Sequence, residues 1–144
     1  MDQHILVPID GSEQASNALK YTLTHHSGEE IIIFHVINPT DMTPYVGMDG
    51  GRVANYKEVH SQRQEQAEQL LAEAKEQADE NDVPVSTEFQ TGDTNRAIVE
   101  FAEKHEIDHI IIGSHGRSGV SRILLGSVAE KVARRSPVPV TIVR

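Results

Sequence analysis

One stretch of this chain has the residue types and spacing of an anion site: Gly113-Ser-His-Gly116-Arg117-Ser-Gly119-Val-Ser-Arg-Ile-Leu-Leu-Gly126-Ser127. It follows the apolar run Ile110-Ile111-Ile112 and precedes a helical pattern. Such a strand-to-helix junction lets backbone N–H groups converge on a phosphate. Glycine admits a ligand close to the main chain because no Cβ intervenes, so Gly113, Gly116 and Gly119 are expected contact points. Ser127-Val-Ala-Glu130 reads as a capping box, with Ser127 capping a helix that starts at Val128 and points its free N–H groups back toward the glycines. Arg117 and Arg122 bring positive charge to the same stretch. A glycine and serine cluster after a strand is also the composition of an ordinary tight turn. The conjunction of the glycine pair, Arg117 and Gly126-Ser127 is what points to a phosphate.

Strands and helices must hold that stretch in place. Residues 4–9 form a short apolar run suited to a strand buried on both faces, ending at Asp10-Gly11-Ser12. Ser12 is an N-cap for a helix with Ala15, Ala18, Leu19, Thr22 and Leu23 at helical spacing, closing near Ser27-Gly28. Residues 31–37 are apolar, continuous and rich in isoleucine, the pattern of a central strand. Residues 38–55 keep no period and contain Pro39, Pro44, Gly47, Gly50 and Gly51, which reads as a long loop. A long surface helix is expected over residues 56–81, its narrow apolar stripe made of Val59, Ala67, Leu70, Leu71, Ala74 and Ala78. Residues 83–89 alternate and carry an early proline, as an edge strand does. Asp93 caps a helix that buries Ala97, Ile98, Phe101 and Ala102, and a strand follows over residues 107–112. A helix over residues 128–135 and a strand over 138–143 close the chain.

Alternating strands and helices imply an α/β fold, a parallel sheet with right-handed crossovers and helices on both faces. Neither repeats nor linkers divide residues 1–144, so one domain is expected. Ligands bind such sheets at the carboxyl ends of the strands, where strand order reverses. That rule gathers Asp10, Val36 and the glycine stretch onto one crevice. A formal net charge of -9 argues against nucleic acid and anionic lipid as partners, both of which need a basic footprint. The absence of cysteine leaves no disulfide framework, thiolate metal site or thiol nucleophile. No apolar run approaches the roughly 20 residues that span a bilayer. The opening residues lack the basic region and long apolar run of a signal peptide, so a cytoplasmic location is expected.

Three motifs together resemble the universal stress protein family: Ile5-Leu-Val-Pro8-Ile-Asp10-Gly-Ser12, then Gly113 and Gly116 followed after nine residues by Gly126-Ser127, and finally Pro137-Val-Pro-Val140. The resemblance covers the whole chain, and its middle motif is that of the ATP-binding branch. It implies a Rossmann-like open five-stranded parallel sheet of order 3-2-1-4-5, ATP bound with magnesium, and a homodimer paired through the last strand. It further implies a nucleotide-dependent regulator of the stress response more than an enzyme, with slow ATP hydrolysis left open. Carried onto this sequence, Asp10 holds the ribose hydroxyls, since a carboxylate accepts two hydrogen bonds from a diol. Pro8, Ile9 and Val36 border the adenine, with core packing as the plain alternative for each. Gly113, Gly116, Gly126, Ser127 and Val128 surround the phosphates, and Arg117 adds charge, with a solvated arginine as its plain alternative. For Asp10 the alternative is a residue that starts the first helix.

Other chemistries fit less well. No Gly-Lys-Ser/Thr follows the glycines, so the stretch is not a P-loop. A Gly-x-Ser-x-Gly elbow is missing, and residues 137–144 lack the lysine that a phosphoacceptor receiver domain would place there. Slow ATPase or phosphotransfer activity and a nucleotide-free dimeric scaffold remain as alternatives. Among the eight histidines, His105 and His109 have helical spacing, but residues 108–112 read as strand, and no metal site is expected. His25 and His26 adjoin a helix end, where a cation is favourable. His115 lies within the glycine stretch, either against a phosphate or facing water. The apolar last strand is an exposed edge that invites pairing with a second copy.

Overall fold

The computed structural model describes residues 3–39, 56–115 and 125–144. Its elements are β1 (His4–Pro8), α1 (Glu13–His25), β2 (Glu30–Ile37), α2 (Tyr56–Glu80), β3 (Val85–Thr91), α3 (Thr94–Lys104), β4 (His109–Gly113), α4 (Ser127–Arg135) and β5 (Val140–Val143). All strand pairs are parallel, in the order β3-β2-β1-β4-β5. This is the expected α/β architecture and strand order. The loop expected over residues 38–55 lies outside the described residues except for Asn38 and Pro39.

Side chains alternate across the central strands and build two cores. Ile5 and Val7 of β1, Ile31 and Ile33 of β2 and Ile111 of β4 meet α1 and α2 on one face. Leu6, Phe34, Val36, Ile110 and Ile112 meet α3 and α4 on the other. Because both faces are covered, β1, β2 and β4 are near-continuous apolar runs, as the interior of a parallel sheet requires. The stripe read on α2 is the buried one: Ala67, Leu71, Ala74 and Ala78 are all buried. The rings of Phe34 and Phe101 stand 4.5 Å apart and tie β2 to α3.

Two of the expected N-caps form. Ser12 Oγ accepts a bond from Ala15 N at 3.1 Å, and an Asp93 carboxylate oxygen accepts one from Arg96 N at 3.3 Å. Strand ends moved more than helix ends. β3 begins at Val85, not at 83, because Val83 is drawn into the core as the chain leaves α2. β5 begins at Val140, not at 138, after a turn in which Ser136 Oγ donates to Val138 O at 2.7 Å. Among the described residues no helix is long and apolar enough to cross a membrane.

Candidate functional site

β1, β2 and β4 end along the same edge of the sheet, and strand order reverses beside β1, which has β2 on one side and β4 on the other. There a crevice of about 850 Å³ opens. Pro8, Ile9, Asp10, Val36, Gly113, Gly126, Ser127 and Val128 all line it. Of the residues anticipated from sequence, Gly116 and Arg117 fall outside the described ones, as do Gly119 and Arg122.

Asp10 follows β1, where Gly11 takes a positive φ of 83° and turns the chain into α1. One carboxylate oxygen, Oδ1, accepts a bond from Ser12 N at 2.9 Å. The second has no protein partner among the described residues, and Asp10 lines the crevice. The helix-start role therefore uses one oxygen and leaves an acceptor for a ligand. Ile9 continues the line of β1, its N–H bonded to Phe34 O at 2.8 Å. Val36 is buried against the α3 and α4 face, so it both packs the core and forms wall.

Gly113 is needed for a packing reason. A Cβ there would stand 2.7 Å from the Gln14 carbonyl carbon and 2.8 Å from Ala15 N, inside the first turn of α1. Helix and strand approach so closely that no side chain fits, whether or not a phosphate is present. Beyond Gly113, Ser114 N donates to Val143 O and Ser114 O accepts from Gly126 N, both at 2.7 Å. These bonds fix the start of α4 beside the end of β4.

The capping box does not form. Gly126 is the N-cap of α4, which begins at Ser127, and no side chain among the described residues caps it. The first intrahelical bond runs from Glu130 N to Gly126 O at 2.9 Å, while the Glu130 carboxylate pairs with Arg134 at 3.0 Å, one turn on, and not with the helix start. An uncapped start leaves the N–H groups of Ser127, Val128 and Ala129 ahead of the helical ladder, at the crevice and at the positive end of the helix dipole.

Some wall residues were not anticipated from the sequence. Arg63 and Gln66, outside the apolar stripe of α2, line the crevice beside Leu70 of that stripe. His35 also lines it, with Nδ1 2.7 Å from Ile9 O, a contact in which the ring nitrogen must donate. A lone histidine inside the apolar run of β2 was the available clue. His115 neither faces water nor stands open: it is 7% exposed. His105 caps α3 and stacks on Phe101, whereas His109 lies in β4, so their spacing brings them no common site. Among the described residues no group of three or more histidine, aspartate or glutamate side chains is arranged to hold a metal ion.

Together these residues offer backbone donors at α4, a carboxylate acceptor at Asp10 and apolar walls from Pro8, Val36 and Ile98. That combination suits a ligand with an anionic end, hydroxyl groups and a flat apolar body. The fold and crevice define a doubly wound α/β domain with its site at the carboxyl edge of the sheet. The chain belongs to the universal stress protein family, whose signature matches residues 1–144. It is 33% identical over 142 residues to universal stress protein MJ0531 of Methanocaldococcus jannaschii, covering 97% of this chain and 81% of that one. The solved structure of MJ0577, from the same organism, superposes with a TM-score of 0.84 at 32% identity, covering 99% of this chain and 96% of the other. A universal stress protein solved in complex with cAMP superposes with a TM-score of 0.71 at 26% identity, covering 99% and 97%.

Proposed function

We propose that this protein binds ATP, with magnesium, in the crevice and acts as a nucleotide-dependent regulator in the stress response, as a cytoplasmic homodimer. One observation carries the reading: Asp10, with one carboxylate oxygen unpartnered among the described residues, and the start of α4 line the same crevice at the reversal of strand order. Asp10 holds the ribose hydroxyls, while Pro8, Ile9 and Val36 border the adenine. Ser127 and Val128 present N–H groups to the phosphates, with Gly113, Gly116, Gly126 and Arg117 completing the surround. Magnesium arrives with the phosphates and neutralises part of their charge. The relative solved with cAMP supports an adenine nucleotide as the ligand class. The net charge of -9 supports a small anion held by local donors over nucleic acid.

Thermal unfolding with magnesium and ATP, ADP, AMP or GTP tests this. A ligand at about 100 times its dissociation constant adds about 2.7 kcal/mol, which raises the midpoint of a chain this size by several degrees. A rise selective for adenine nucleotides is expected, and a phosphate-release assay then separates sensing from hydrolysis. No rise with any nucleotide at millimolar concentration would overturn the proposal in favour of a nucleotide-free scaffold. Asp10→Ala is expected to weaken ATP and leave inorganic triphosphate unaffected; equal loss of both contradicts the ribose role.

A further inference from the structure

We infer that His115 presents Nε2 as a hydrogen-bond donor to the phosphate chain of the bound nucleotide, and so selects phosphorylated ligands over the nucleoside. The inference rests on the nucleotide reading above and adds to it a side-chain donor. His115 lines the crevice, yet its ring is enclosed, and Nε2 is a buried nitrogen with no hydrogen-bond partner among the described residues. Buried polar atoms without partners are rare, because each destabilises the state that leaves it unmatched.

Its surroundings define what would match it. Nδ1 stands 3.0 Å from Ser114 Oγ. Ser114 is itself buried, and the ring is the partner its hydroxyl has among the described residues; on that ground we assign the hydroxyl proton to Nδ1, although the 3.0 Å contact alone fits either tautomer. The ring proton then stands on Nε2, which needs an acceptor. Two helix starts flank the residue. Its carbonyl faces the hydroxyl of Ser12, the cap of α1, at 3.4 Å, and the neighbouring Ser114 carbonyl binds Gly126 N, at the cap of α4. Both helices direct the positive ends of their dipoles to this corner, where an anionic oxygen is the favoured acceptor.

The test uses the full chain, with titration calorimetry of ATP and adenosine against wild type, His115→Phe and His115→Gln. Phenylalanine keeps the ring volume and removes both nitrogens; glutamine restores an N–H donor. His115→Phe is expected to bind ATP about 10-fold more weakly, the effect of one hydrogen bond to a charged group, and adenosine unchanged. His115→Gln is expected to recover most of the loss. In nitrogen NMR of the wild type, the His115 Nε2 signal should move with ATP and stay put with adenosine. Unchanged ATP affinity in His115→Phe, equal loss of ATP and adenosine, or an Nε2 signal indifferent to ATP would each overturn the inference while leaving the nucleotide reading intact. A wild-type protein that binds neither ligand would overturn both.

Discussion

Gly113 stands where two demands meet, and its geometry separates them. A glycine in a phosphate loop is replaceable in the empty protein, whereas a glycine pressed against a helix backbone is not. A Cβ at Gly113 would meet Gln14 and Ala15 backbone atoms at 2.7–2.9 Å, and backbone in a capped first turn cannot swing aside as a side-chain tip does. Gly113→Ala should therefore destabilise the ligand-free protein by about 1–3 kcal/mol, the usual cost of overpacking. Denaturant unfolding without nucleotide measures it. A wild-type midpoint would mean that α1 yields and that the glycine serves the ligand alone. Sequence marked Gly113 correctly as a residue that must be glycine but assigned the need to phosphate, because the helix it touches lies about a hundred residues away in the chain.

At the scale of elements, what was legible followed the range of the interaction. Ser12 and Asp93 bond N–H groups three residues on, so both caps could be read locally. The start of α4 could not, since Ser114 O holds Gly126 N and places the cap one residue earlier than the Ser127 pattern implied. The wall that α2 supplies was hidden for the same reason: Arg63 and Gln66 become wall only when α2 packs beside β2. Local strain also escaped reading. Asp82 and Glu106 hold positive φ, 57° and 53°, at the ends of α2 and α3, where Val83 N bonds Ala78 O and Ile107 N bonds Ala102 O. Glycine is the usual residue at such a closure. Glu106→Gly is expected to stabilise the protein by about 1 kcal/mol, by removing the left-handed backbone penalty, and a lower unfolding midpoint would contradict this. A second element-level prediction concerns β4 and β5, joined by His109 Nε2 and Thr141 Oγ1 at 2.7 Å. Burial, and then repulsion from His26, hold the His109 imidazole below its ordinary 6.5. The unfolded chain takes up that proton first, so this contribution is intact above about pH 6.5 and is lost as pH falls below it. The melting temperature should drop between pH 7.5 and 5.5, and by less in His109→Gln. An equal drop in both would place the acid sensitivity elsewhere.

Across the whole molecule, the sheet has one edge at β3 and the other at β5, and they differ in character. β3 reads Val85-Ser-Thr-Glu-Phe-Gln-Thr91 and alternates with polar residues, whereas β5 is Val140-Thr-Ile-Val143, half-buried throughout. A polar edge resists pairing and an apolar one invites it. The backbone of β5 shows which atoms a second copy would meet. Pro139 O and Val143 O accept from Ile110 N and Ser114 N of the β4 segment. Alternate residues of a strand point their amide groups to opposite sides, so the N–H and C=O groups of Val140 and Ile142 face outward. The proposed homodimer through this edge therefore requires the Ile142 N–H, and Ile142→Pro removes it without touching the bonds to β4. Because Ile142 also packs against the α3 and α4 core, Ile142→Ala serves as the control for lost side chain. Sedimentation should give twice 15.9 kDa for wild type and Ile142→Ala at micromolar concentration, and 15.9 kDa for folded Ile142→Pro. A wild-type mass of one chain would dismiss the dimer, and a dimeric Ile142→Pro would move the interface away from β5.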